Sequence, residues 1–121
     1  LLMEATPHFQ WSELTCKCGC GTSYVSVSAL DKLEAMRNIL GKPMYLNSVC
    51  RCPIHNAKVG GAPLSQHRST KERPATAFDI SLQGQDKDEI IRLAERVGFK
   101  GIGINYKTFV HVDDRSKRAR W

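Results

Sequence analysis

Two short stretches of strict alternation bound what this chain can become. In Ala77-Phe78-Asp79-Ile80-Ser81-Leu82, the apolar Phe78, Ile80 and Leu82 fall on one side of an extended strand, and Asp79 and Ser81 on the other. In Phe109-Val110-His111-Val112-Asp113, the two valines share a face while His111 and Asp113 share the opposite one. Side chains alternate across a strand with a period of two, so each stretch asks for a sheet with one face buried. The cover for that face is legible elsewhere. Leu30, Leu33, Met36 and Leu40 recur at helical spacing, starting from Ser26 or Ser28 and stopping at Gly41 ahead of Pro43. Ile90, Leu93, Ala94 and Val97 do the same after Asp86, with Glu89 completing a capping-box pattern and Gly98 closing the run. Met44 to Val49 and Gly101 to Ile104 read as further strands, and His55 to Val59 as a helical turn.

The predicted fold is therefore α+β: a single small domain over residues 1–121, an antiparallel sheet with helices packed on one face and the polar residues on the other. Residues 1–25 read as an irregular, cysteine-containing N-terminal segment, and residues 114–121 as a basic, solvated tail. Length agrees with one domain and one modest core. No run of about 18 apolar residues occurs, which predicts no membrane-spanning helix. The opening residues lack the basic start, apolar centre and cleavage site of a secretory signal. A net charge of +6 favours anionic partners. Five cysteines, in Cys16-Lys17-Cys18-Gly19-Cys20 and Cys50-Arg51-Cys52, admit three states. They form two disulfides plus a free thiol, a thiolate metal site, or reduced thiols packed as small hydrophobes. Zinc sites more often space their cysteines by two residues than by one, and the sequence leaves the three states open. A nucleic-acid binder of the zinc-ribbon kind is disfavoured, because the aromatic residues are not interleaved with the basic ones.

If both alternating strands turn their apolar faces to the helices, Asp79 and His111 project from the other face. His67 lies in the loop that leads into the Asp79 strand and can swing over them. Two imidazoles and a carboxylate are the donor set of a catalytic zinc site, with a fourth position left for water. Such a site lowers the pKa of water to about 7 and polarises a carbonyl, which suits amide hydrolysis.

Three stretches sharpen this expectation: Ser48-Val49-Cys50-Arg51-Cys52-Pro53-Ile54-His55-Asn56, Val59-Gly60-Gly61-Ala62-Pro63-Leu64-Ser65-Gln66-His67, and Ala77-Phe78-Asp79-Ile80. Together they resemble the M15 family of zinc D,D- and L,D-peptidases, which carries a Ser-x-His motif, then Ala-x-Asp, then a final histidine. The ends of the chain, Phe9 with Glu13 and the Cys16–Gly21 run, and Gly101-Ile102-Gly103, Phe109–Asp113 and Arg118-Ala119-Arg120-Trp121, are similar to its small single-domain branch of phage endolysins and murein peptidases. The resemblance implies zinc at His67, Asp79 and His111. It implies an Arg51 that stabilises a substrate carbonyl or developing oxyanion, a role that suits a fixed guanidinium. Ser65 and Gln66 are expected to shape the ligand loop or touch substrate, and His55 and Asn56 to order that loop.

Two departures stand out. His67 and Asp79 are twelve positions apart, a longer stretch than the family's motif has, with a polar insertion around Arg68 to Pro74 expected to loop outward. Thr108 stands three residues before His111, where many relatives place an acidic general base. Asp113, on the same strand face as His111, is the expected substitute. The function implied is zinc-dependent cleavage of peptidoglycan stem peptides at the cell wall, with an endopeptidase favoured over a D-Ala-D-Ala carboxypeptidase or a non-catalytic wall-binding module. A monomer acting on peptidoglycan, with no nucleic-acid or integral membrane partner, completes the expectation.

Overall fold

The computed structural model describes residues 4–121. The first apolar period forms helix α2 (Val27–Leu40), capped by the Ser26 hydroxyl, which accepts from the Ala29 N–H, and ended by Gly41 at φ +74°. The second forms α4 (Lys87–Val97), where the Asp86 carboxylate accepts from the N–H groups of Asp88 and Glu89 and Gly98 closes the helix at φ +98°. Both C-terminal glycines adopt the left-handed conformation that a side chain would resist.

The alternating stretches form strands β4 (Ala77–Ser81) and β6 (Phe109–Asp113), paired antiparallel with Asp79 directly opposite His111 and Ala77 opposite Asp113. With β3 (Leu46–Ser48), β5 (Gly101–Gly103) and β7 (Ala119–Arg120) they make one sheet in the order β3-β4-β6-β5-β7. Phe78, Ile80, Ile102, Val110 and Val112 are fully buried on one face, against Leu33 and Met36 of α2 and Ile90 and Ala94 of α4. Each large apolar side chain so buried contributes about 1.5–3 kcal/mol, which makes this seam the main source of stability. The short helix α3 (Pro53–Lys58) follows the Cys50-Arg51-Cys52 turn, with Pro53 in its first turn.

Two expectations need correction and a third gains detail. The N-terminal segment is not irregular throughout: β1 (Glu4–Thr6) and β2 (Phe9–Gln10) pair as a small hairpin and lead into α1 (Trp11–Leu14). Its first three residues lie outside the described ones. Phe9 and Leu14 are buried, so this segment extends the core. The basic tail is not free either, since β7 pairs parallel with β5 and makes an otherwise antiparallel sheet mixed. The insertion does loop outward at Lys71, Glu72 and Pro74, but its ends are tied down. Arg68 bridges to Arg51, Ala75 to Val25, and the Ser69 hydroxyl donates to the Tyr24 carbonyl at 2.6 Å.

Candidate metal centre

Opposed residues of an antiparallel pair carry their side chains on one face about 5 Å apart. That register brings His111 Nδ1 to 3.0 Å from Asp79 Oδ1. His67 reaches the same oxygen from the loop, its Nε2 also 3.0 Å from Asp79 Oδ1. The loop holds its shape through Asn56, whose side-chain amide donates to the Ala62 carbonyl, and through Gly61, where any Cβ would collide with the Asn56 side chain. His67 is then fixed by Ser65, whose hydroxyl accepts from the His67 N–H, and by a backbone bond from the Arg51 N–H to the His67 carbonyl.

The outer nitrogens of the two imidazoles decide what the inner ones present. His67 Nδ1 lies 2.8 Å from the Val49 carbonyl oxygen, which only accepts, so Nδ1 carries the proton. His111 Nε2 lies 2.7 Å from the Asp113 carboxylate, which likewise asks for a proton on Nε2. Neutral imidazoles in these tautomers aim lone pairs from His67 Nε2 and His111 Nδ1 at a carboxylate oxygen. Three acceptors facing one point form a ready seat for a cation. When those inner nitrogens carry protons instead, both rings donate to Asp79 Oδ1, and in that state the charges shift. Burial would push the Asp79 carboxyl up, but the imidazoles of His111 and His67 more than offset it and hold it at about 2. Burial would lower His111, but the Asp113 and Asp79 carboxylates prevail and raise it above its ordinary value. The three side chains thus meet as expected, in a geometry that can hold a divalent ion.

They lie in a cleft of about 480 Å³ whose lining includes Arg51, Ser65, Gln66, Tyr106, Arg115 and Trp121. Arg51 is half-buried, and its Nη2 donates to Ser65 Oγ at 3.2 Å. Its buried Nε has no protein partner. Burial lowers its pKa, opposed by the nearby Asp79 charge. Gln66 lines the cleft while its side-chain oxygen accepts from the Thr76 hydroxyl at 2.7 Å, so it also pins the insertion to the site. His55 stays apart from this centre, its backbone N–H directed at the Cys52 sulfur instead.

The expected general base is where the geometry disagrees. Asp113 is fully buried: Oδ1 accepts from the Arg115 backbone N–H and from its Nε, and Oδ2 from Arg115 Nη2 and His111 Nε2. Burial opposes its ionisation, yet Arg115 and His111 hold its pKa far below the ordinary range. A carboxylate so engaged has no lone pair free for a water molecule. It orients His111.

The sequence resemblance took in Gly101–Gly103, Phe109 and Trp121 but gave them no role in the site, and the structure makes them part of the far wall of the cleft. Gly101 and Gly103 of β5 stand opposite Asp113 and His111, and their missing side chains leave room on the site face. Arg115 occupies the space beside Gly101. A Cβ at Gly103 would come within 2.9 Å of Trp121. Trp121 lies 5.1 Å from the His111 ring and donates from its indole N–H to the Tyr106 hydroxyl, and the Arg115 guanidinium sits 4.7 Å over the Trp121 ring. Phe109, stacked on Tyr106 at 4.4 Å, shares strand parity with His111 and was open to discovery from the alternation alone. Trp121 belongs to the family-like ending, but nothing local told that it lines the cleft, because only the pairing of β7 with β5 brings it here.

Comparison with known protein families matches the model described as Peptidase M15 over residues 7–113, most of the chain and a span that includes His67, Asp79 and His111. Comparison with curated proteins finds no match.

Proposed function

The chain belongs to the Peptidase M15 family, and from that premise we propose that it is a zinc-dependent hydrolase of peptidoglycan stem peptides, acting as a monomer at the cell wall and cutting within the stem or its crosslink. The observation that carries this reading is the meeting of His67 Nε2, Asp79 Oδ1 and His111 Nδ1 on the floor of an open cleft flanked by two guanidinium groups. Zinc held by these three atoms would polarise the scissile carbonyl and lower the pKa of the attacking water.

The chain's own residues supply the rest. Arg51, which lines the cleft with its Nη2 held by Ser65, presents guanidinium donors to a stem carboxylate or to charge developing on the carbonyl oxygen. Asp113 holds the His111 ring at a fixed angle and, through its pair with Arg115, resists reorientation as substrate enters. Tyr106, Phe109 and Trp121 make an apolar wall that shields the peptide from bulk water.

The test is incubation of the pure protein with purified cell wall, before and after treatment with a chelator. New amino groups released by the untreated protein, lost with the chelator and regained with zinc, support the hydrolase. Mass analysis of the products separates endopeptidase, which converts crosslinked fragments to monomers, from carboxypeptidase, which releases free D-alanine. A second reading, a wall-binding module of the same fold, is favoured by two observations: among the described residues Asp79 is the one acidic side chain lining the cleft, and Thr108 stands where many relatives place an acid. Retention on cell wall without any release of amino groups would establish that reading.

A further inference from the structure

Around the start of α3, four of the five cysteines gather. The sulfurs of Cys16, Cys18, Cys20 and Cys52 all lie within 4.8 Å of one another, with Cys16 and Cys18 3.5 Å apart and Cys18 and Cys52 3.8 Å apart. We propose that these four cysteines hold a second, structural metal ion of thiophilic divalent type, zinc being the expected one, separate from the His67–Asp79–His111 centre.

Distance carries much of the argument. Four thiolates at about 2.3 Å from a tetrahedral zinc stand about 3.8 Å from each other. A disulfide would join two sulfurs at about 2.05 Å. The one-residue spacing that weighed against a metal site is answered by the backbone. Alternate residues of an extended strand place side chains on one face about 6.6 Å apart, too far to share an ion. Here Gly19 at φ +87° and Gly21 at φ +82° curl the chain after Cys18 and after Cys20, so three alternate cysteines converge. The fourth comes from the residue just before α3, across a separation of more than thirty positions.

The surroundings suit thiolates. The Cys52 N–H points at the Cys16 sulfur at 3.4 Å and the His55 N–H at the Cys52 sulfur at 3.3 Å, while the Cys20 thiol donates to the Thr22 hydroxyl at 3.1 Å, which a Cys20 thiolate would reverse. Donors of this kind orient and stabilise metal-bound sulfur. Four thiolates around one divalent ion leave an excess of negative charge, and Lys17 and Lys58 line the same hollow together with Ile54 and Val59. The fifth cysteine explains the odd count. Cys50 is buried in the core, its sulfur turned to the Tyr24 carbonyl at 3.5 Å, away from the other four. A bound ion would staple the N-terminal segment to the start of α3, one residue from Arg51, and so steady the arginine that reaches into the cleft.

Metal content and cobalt substitution of the reduced full chain test this, with readouts independent of hydrolysis. Wild type should bind two equivalents of cobalt and show thiolate-to-cobalt charge-transfer absorption, which a site of nitrogen and oxygen ligands does not produce. His67→Ala with Asp79→Ala should lose one equivalent and keep the full charge-transfer signal. Cys18→Ser with Cys52→Ser should lose one equivalent and that signal, while Cys50→Ser keeps both. The proposal is overturned if the wild type and the His67→Ala, Asp79→Ala variant lack charge-transfer absorption, or if four cysteines of the freshly isolated chain, denatured with a chelator present, resist alkylation until reduced. Neither result bears on whether the histidine centre binds zinc.

Discussion

At the level of single residues, the site depends on a carboxylate whose hydrogen bonds all go to Arg115 and His111. Both Asp113 oxygens are taken by Arg115 and His111, so the carboxylate sets the tautomer and angle of an imidazole rather than accepting a proton from water. Asp113→Asn should therefore weaken zinc binding about 10–100-fold in competition with a chelator. Hydrolysis at saturating zinc should stay close to wild type; a further loss of about 10²–10⁴ there would restore the general-base role. The same pair explains Gly101, since a Cβ there would collide with the Asp113 carboxylate and Arg115 Nε. Gly101→Ala should cost about 1–3 kcal/mol in urea unfolding by overpacking, although alanine suits a strand better than glycine does.

Elements follow local rules closely where those rules are strong. The helix starts at Ser26 and Asp86, and the stops at Gly41 and Gly98, fall where caps and left-handed glycines require. Asp86→Ala removes the acceptor for two N–H groups of α4 and should destabilise the fold by about 1 kcal/mol, read as a lower urea midpoint with unchanged slope. β4 and β6 were equally legible, because five residues of alternation in each leave one register that buries Phe78, Ile80, Val110 and Val112 together. β1, β2 and β7 were not. Each is two or three residues long and gains its structure from a partner distant in sequence or from the core beneath it.

Across the whole molecule, the N-terminal hairpin is held to α2 through Glu34. Its carboxylate accepts from the Thr6 hydroxyl at 2.7 Å and the His8 N–H at 2.9 Å, and pairs with the His8 ring at 2.5 Å. Burial would push the Glu34 carboxyl up from its ordinary 4.5, but these hydrogen bonds prevail and hold it lower. A lowered folded-state pKa means the stabilisation is present in full above the ordinary value and is lost as pH falls through the folded one. Glu34→Gln should lower the urea midpoint at about pH 6 and matter progressively less toward about pH 3. An undiminished gap at the acid end would show that the contact acts by packing alone. Zinc should also stabilise the chain by mass action, with removal by a chelator lowering the melting temperature.

Much was determined by order of residues alone: two amphipathic helices, two half-buried strands, and the parity that set Asp79 and His111 on one face and their apolar neighbours on the other. These are properties of period and capping, which act over a few residues and can be read from a few residues. The tautomers of His67 and His111, the engagement of Asp113 by Arg115, the placement of Trp121 in the cleft and the convergence of Cys52 on Cys16, Cys18 and Cys20 came only with the folded chain. Each depends on a contact between segments that the sequence keeps apart, or on which of several hydrogen-bond partners lies nearest, and no local pattern encodes a distance of that kind.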